Sequence, residues 1–175
     1  MNEIIRSEIR ELEEAKDFDK LYSYLVKVVK YDDNPIEYEL EFNKYFDSTD
    51  WQMRKAAVFC LLYVLQIDNP TYRNKAIAFV KDISEDEEVR RWSAAALSQT
   101  YQNTKDKELL KLFLQLVENP EEDQDFKGSI LRSALLVYGL TSREQIFRND
   151  KIMPKLDRMM TTYKREVAEI RWLLK

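Results

Sequence analysis

The chain has 175 residues, with 28 Lys and Arg against 32 Asp and Glu, no His, one Cys, two Gly, four Pro and a formal net charge of −4. That length suits one domain with a real core. The missing residue types exclude His-dependent catalysis and metal binding, a disulfide framework, a multi-cysteine zinc site and glycine-rich phosphate loops.

Helical periodicity runs through every long segment, and none alternates with period two, so the expected fold is all-α. Ile5, Ile9 and Leu12 line one face of a helix over 3–15. Phe18, Leu21, Tyr22, Leu25, Val28 and Val29 do the same over 18–31. Further helices are predicted over 35–46, 50–66, 70–83, 86–103, 106–118, 122–140, 142–149 and 152–174, about ten helices with short polar links. Asn34-Pro35, Asn69-Pro70 and Asn119-Pro120 read as helix starts, because Asn caps well and Pro loses nothing at the first helical position. Asn34 with Glu37, Asn119 with Glu122, Ser84 with Glu87 and Thr141 with Glu144 add capping-box carboxylates.

The N-terminus is amphipathic and acid-rich and lacks the apolar stretch of a signal peptide. The most apolar window, Ala56 to Ile67, is too short to span a membrane. A cytoplasmic location and no membrane contact are therefore expected. Cys60 lies inside that window and reads as a buried structural thiol. Charge is uneven. Residues 1–50 hold 7 basic and 14 acidic residues, whereas residues 151–175 hold 7 basic and 3 acidic. A chain acidic overall disfavours general nucleic-acid binding, which needs a concentrated Lys/Arg face.

One motif recurs. Asp50-Trp51-Gln52-Met53-Arg54, Asp86-Glu87-Glu88-Val89-Arg90 and Asp123-Gln124-Asp125-Phe126-Lys127 all read Asp-x-x-apolar-basic, at spacings of 36 and 37. Each continues into a run of small and aliphatic residues, as in Ala56-Ala57-Val58 and Ser93-Ala94-Ala95-Ala96-Leu97. Acid and base four apart share a helix face, and the acid sits at the favourable end of the helix dipole. These residues are read as structural, able to link neighbouring units in a ladder. Gly128 departs from the pattern in the third unit.

Over residues 36–140 the motif resembles the HEAT-repeat family, whose second helices often begin Asp-x-x-Val-Arg followed by Ala and Leu. The resemblance implies a single helical-repeat domain over 1–175: a short right-handed α-solenoid of stacked hairpins over 34–140, with capping helices over 1–33 and 141–175. Family members are mostly protein-binding scaffolds, and a few bacterial relatives bind or repair DNA.

If the second helices line a concave face, the outward stripe holds Lys55, Phe59, Tyr63 and Gln66, then Arg91, Ala95, Gln99 and Gln102, then Gly128, Arg132 and Leu136. Lys55, Phe59, Tyr63, Arg91, Gln99 and Arg132 are the expected partner-binding residues, since aromatics and Arg dominate interface hot spots. Phe59 and Tyr63 could instead pack beneath the N-terminal helices, and Trp92 reads as core beside its Ala-rich run. The acidic clusters lack the glycine-bearing loop of a calcium site and read as helix starts. Leu156, Met160, Tyr163, Val167, Ile170 and Leu174 form a heptad-like seam suited to a terminal cap or to a partner helix. The expected function is non-catalytic binding of a protein partner, as a scaffold, assembly factor or immunity-type protein, with no cofactor and no metal. A HEAT-like nucleic-acid-binding or DNA-repair protein is the alternative. The partner's identity and the oligomeric state do not follow from the sequence.

Overall fold

The computed structural model describes residues 3–139 and 156–175. All regular structure among them is helical, with no strand. The chain divides into two compact units, residues up to Ala96 and residues from Leu97 onward.

In the first unit, α1 (Glu3–Glu14) and α2 (Phe18–Tyr31) form a hairpin. Asp17 caps α2 by accepting from the Lys20 amide at 3.2 Å. The expected helix over 35–46 is broken into a 3-10 turn (Pro35–Tyr38), a short α3 (Glu39–Asn43) and a second 3-10 turn (Lys44–Asp47). Asn34 does not cap through its side chain; its amide donates to Glu37 instead. The stretch is rich in Ile, Tyr and Phe, which favour helix weakly. Burial of Tyr38, Phe42, Tyr45 and Phe46 holds it in place. Two buried hydroxyls also tie it down: Tyr45 donates to Glu13 at 2.6 Å and Tyr38 to Asp32 at 3.1 Å.

Helix α4 (Trp51–Ala57) starts at Asp50, whose carboxylate accepts from the Gln52 and Met53 amides. It runs directly into a π-helical stretch, Val58–Val64. Each π turn holds one residue more than an α turn. The 3.6-residue spacing read from the sequence therefore stops applying at Val58. Helix α5 (Pro70–Lys81) is capped by Asn69, as the Asn-Pro pair predicts, with Thr71 N donating at 2.9 Å. At α6 (Glu87–Thr100) the cap is Asp86, which accepts from the Glu88 amide at 2.9 Å. The predicted cap, Ser84, bonds Asp82 instead.

In the second unit, α7 (Lys107–Glu118) and α8 (Gln124–Tyr138) form a hairpin. Asn119-Pro120 makes a turn, and α8 is capped by Asp123. Gly128 lies buried inside α8 without interrupting it. The helix ends at Gly139, in the left-handed region at φ 100°. A Cβ there would stand 2.8 Å from Asn103 Oδ1, so glycine meets both demands of the position. Asn103 and Lys105 themselves have positive φ and aim their amides at the Leu136 and Val137 carbonyls. The Leu136 carbonyl also accepts from the Gly139 amide at 3.2 Å, so these bonds help to satisfy the carbonyls that a helix end leaves open.

The expected helix over 152–174 is two helices where it is described, α9 (Leu156–Thr162) and α10 (Lys164–Leu173), broken at Tyr163. The heptad-like seam therefore does not run through. Val167 and Ile170 are buried as expected, but on α9 the buried residue is Met159 and not Met160. The predicted helix over 142–149, the Thr141–Glu144 pair and Pro154 lie outside the described residues.

Candidate functional site

The repeated motif is architectural. Asp50, Asp86 and Asp123 each accept from the backbone amide two residues on, which satisfies donors that a helix start leaves open. The basic partners turn elsewhere. Arg54 grips Glu85 with Nε and Nη2, both at 2.6 Å, and donates to the Ser48 carbonyl at 2.8 Å. That bidentate bond to Glu85, more than any other charge nearby, raises the guanidinium pKa. The first motif thus reaches the residue beside the second. Arg90 is 4% exposed and leans on the Val80 carbonyl, and Lys127 is 6% exposed.

A different set of side chains forms a surface on the first unit. On α2, Tyr22, Val26 and Lys30 are four apart and share a stripe. On α4 and its π-helical continuation, Trp51, Lys55, Phe59 and Tyr63 follow the same spacing. The two stripes meet. Lys55 Nζ lies 4.3 Å from the Tyr22 ring centroid and 4.7 Å from that of Trp51. Lys30 Nζ lies 5.5 Å from the Phe59 centroid. From α6, Trp92 stands nearly perpendicular to two rings, Phe59 at 4.8 Å and Tyr63 at 4.9 Å. Phe59 and Tyr63 stack at 5.6 Å. Edge-to-face and offset contacts suit the ring quadrupoles, and the cations sit where those quadrupoles attract them.

Phe59 is buried, whereas Tyr22, Trp51, Lys55, Tyr63 and Trp92 are half-buried and Lys30 is exposed. Burial, ahead of the nearby Cys60 and Glu88, raises the Tyr22 hydroxyl. The local carboxylates are engaged. Glu87 and Glu88 both pair with Arg91, Glu88 at 3.8 Å, and Asp19 accepts from the Gln52 amide.

Lys55, Phe59 and Tyr63 therefore fall together, and Arg91 lies next to Trp92 on α6 with its charge offset by two glutamates. Phe59 also packs against α2 through Lys30, which is the packing beneath the N-terminal helices that the sequence left open. Gln99 and Arg132 belong to the second unit. Both are half-buried, and the Gln99 carboxamide oxygen is buried with no hydrogen-bond donor among the described residues. Tyr22, Lys30, Trp51 and Trp92 are not among the partner-binding residues expected from the sequence. The four-residue spacing of Trp51, Lys55, Phe59 and Tyr63 held the clue to Trp51. Trp92, expected in the core, is half-buried at the edge of the cluster.

A concavity of about 520 Å³ lies in the second unit, lined by Asn103, Lys105, Tyr138, Gly139 and Glu169. Its polar groups are taken up by one another. Tyr138 donates to Glu169 at 3.0 Å, Arg165 holds the same carboxylate at 2.8 Å, and Lys105 stands 4.8 Å over the Tyr138 ring. Among the described residues no three His, Cys, Asp or Glu side chains are placed to hold a metal ion, and no helix is long and apolar enough to cross a membrane. Cys60 is fully buried, and burial pushes its thiol up, away from thiolate chemistry. No protein-family model, no curated protein and no solved structure matches the chain.

Proposed function

We propose that this chain is a non-catalytic, protein-binding scaffold that holds its partner on the aromatic and cationic face of α2, α4 and α6. The observation that carries this reading is the Phe59–Tyr63–Trp92 cluster, with Lys30 and Lys55 fixed on ring faces beside it. Pre-ordered aromatics lose little entropy on binding and supply most hot-spot energy. The proposed architecture is a right-handed HEAT-like α-solenoid. Its support is the shared aspartate cap of the three motif helices and the reach of Arg54 from one motif to the acid beside the next. An adaptor, assembly factor or immunity-type protein acting in the cytoplasm suits such a surface, and no cofactor is called for.

The test is capture from the native host lysate with wild type beside Tyr63→Ala and Lys55→Glu, each checked for unchanged helicity. A specific protein should be retained by wild type and fall at least about tenfold with each variant, the effect of losing one hot spot. Recovery of nuclease-sensitive nucleic acid in its place would reverse the reading in favour of nucleic-acid binding. Equal retention by all three proteins would move the interface elsewhere.

A further inference from the structure

We infer that the segment occupying this face is an acidic stretch of protein chain carrying apolar anchors, an inference that rests on the docking reading above. Elsewhere in the first unit several cations are neutralised by carboxylates: Arg54 by Glu85, Arg91 by Glu87 and Glu88, and Lys44 by Glu13 and Glu41. Lys30 and Lys55 differ. Among the described residues neither has a carboxylate within ion-pair distance; each is held over aromatic rings instead. This happens in a chain with four more acids than bases, where a nearby acid is easily supplied. A ring face fixes a lysine stem and leaves the ammonium's N–H donors open to an incoming anion.

The apolar part of the site adjoins Phe59, the ring that carries Lys30. Tyr63 and Trp92 are half-buried and both pack on Phe59. An occupant that satisfies both features has carboxylates spaced to reach Lys30 and Lys55 and a Leu or aromatic side chain beside them. Phosphodiester chains fit less well. Base stacking needs free ring faces, and here a lysine takes one face of each of Phe59, Tyr22 and Trp51. Two lysines also form a small fraction of the phosphate contacts that a nucleic-acid site uses.

The experiment selects binders from a library of randomised linear peptides on the full-length protein. The best sequence is then titrated against Trp172→Phe, in which Trp51 and Trp92 are the remaining tryptophans and report from the face itself. Selected sequences should be enriched in Asp and Glu around an apolar residue. Affinity should fall about tenfold in the Lys30→Met/Lys55→Met variant, which keeps the apolar stems over the rings. It should also weaken steeply between about 50 and about 500 mM salt. Neutral or basic selected sequences that still perturb Trp51 and Trp92 would overturn the acidic occupant and leave the docking face standing. So would undiminished binding by the double variant. No enrichment at all, or displacement of the peptide by single-stranded oligothymidylate, would overturn both.

Discussion

Arg54→Ala is expected to lower stability by about 3 kcal/mol, because it strands a buried carboxylate. Glu85 is 6% exposed at its side chain, and its two oxygens face the Arg54 fork at 2.6 Å. One of them also accepts from the Asp86 amide at 2.7 Å, so the carboxylate cannot simply swing into water without giving up that bond at the start of α6. The loss should appear in urea unfolding and as a fall in Tm of roughly 6–12 °C for a chain of this size. Replacing both partners, Arg54→Met with Glu85→Leu, should restore most of the loss, since an apolar pair avoids the cost of burying charge. A single Arg54→Ala variant within about 0.5 kcal/mol of wild type would mark the contact as an ordinary surface pair.

The second large effect is at Phe59. Phe59→Ala should cost about 3 kcal/mol, the usual penalty for emptying a buried ring site. Phe59 is 7% exposed and meets Tyr63, Trp92 and the Lys30 ammonium. Removing it withdraws one wall from both remaining rings, so the near-ultraviolet circular dichroism of the tryptophans should weaken in the folded variant. Phe59→Leu should recover about half the stability but not the aromatic signal, because it restores volume without the ring quadrupole. A Phe59→Ala variant that keeps both stability and the near-ultraviolet signal would mean that the three rings do not act as a unit.

The sequence made the helical class legible because apolar residues recur at helical spacing from Ile5 to Ile170 and the described caps are mostly short polar residues. Asp50, Asn69 and Asp123 cap where a reader of the sequence would place helix starts. The departures have local causes. Asn34 spends its side chain on Glu37, so the following stretch begins as a 3-10 turn. The π-helical stretch over Val58–Val64 packs against α2 and α5, and no residue type announces its winding. The break at Tyr163 splits a seam that looks continuous when every residue is assumed to advance by the same angle. Half of the aromatic and cationic face was legible from spacing. Lys55, Phe59 and Tyr63 lie on one continuous helical run, and an interval of four residues, between the α turn and the wider π turn, keeps them on one side in either winding. Tyr22, Lys30 and Trp92 join through tertiary contacts that a single helix pattern does not encode.

The most direct measurement of the central claim is site-specific photo-crosslinking in the cells that make the protein, with benzoylphenylalanine in place of Tyr63 and, separately, in place of Trp172. Trp172 is 76% exposed on α10 and reports on the other helix that the sequence offered as a partner surface. If the aromatic and cationic face is where the partner docks, position 63 yields a discrete adduct with another polypeptide, position 172 does not, and Lys55→Glu abolishes the adduct. An adduct from position 172 with none from position 63 would contradict the account and transfer the interface to the C-terminal helix.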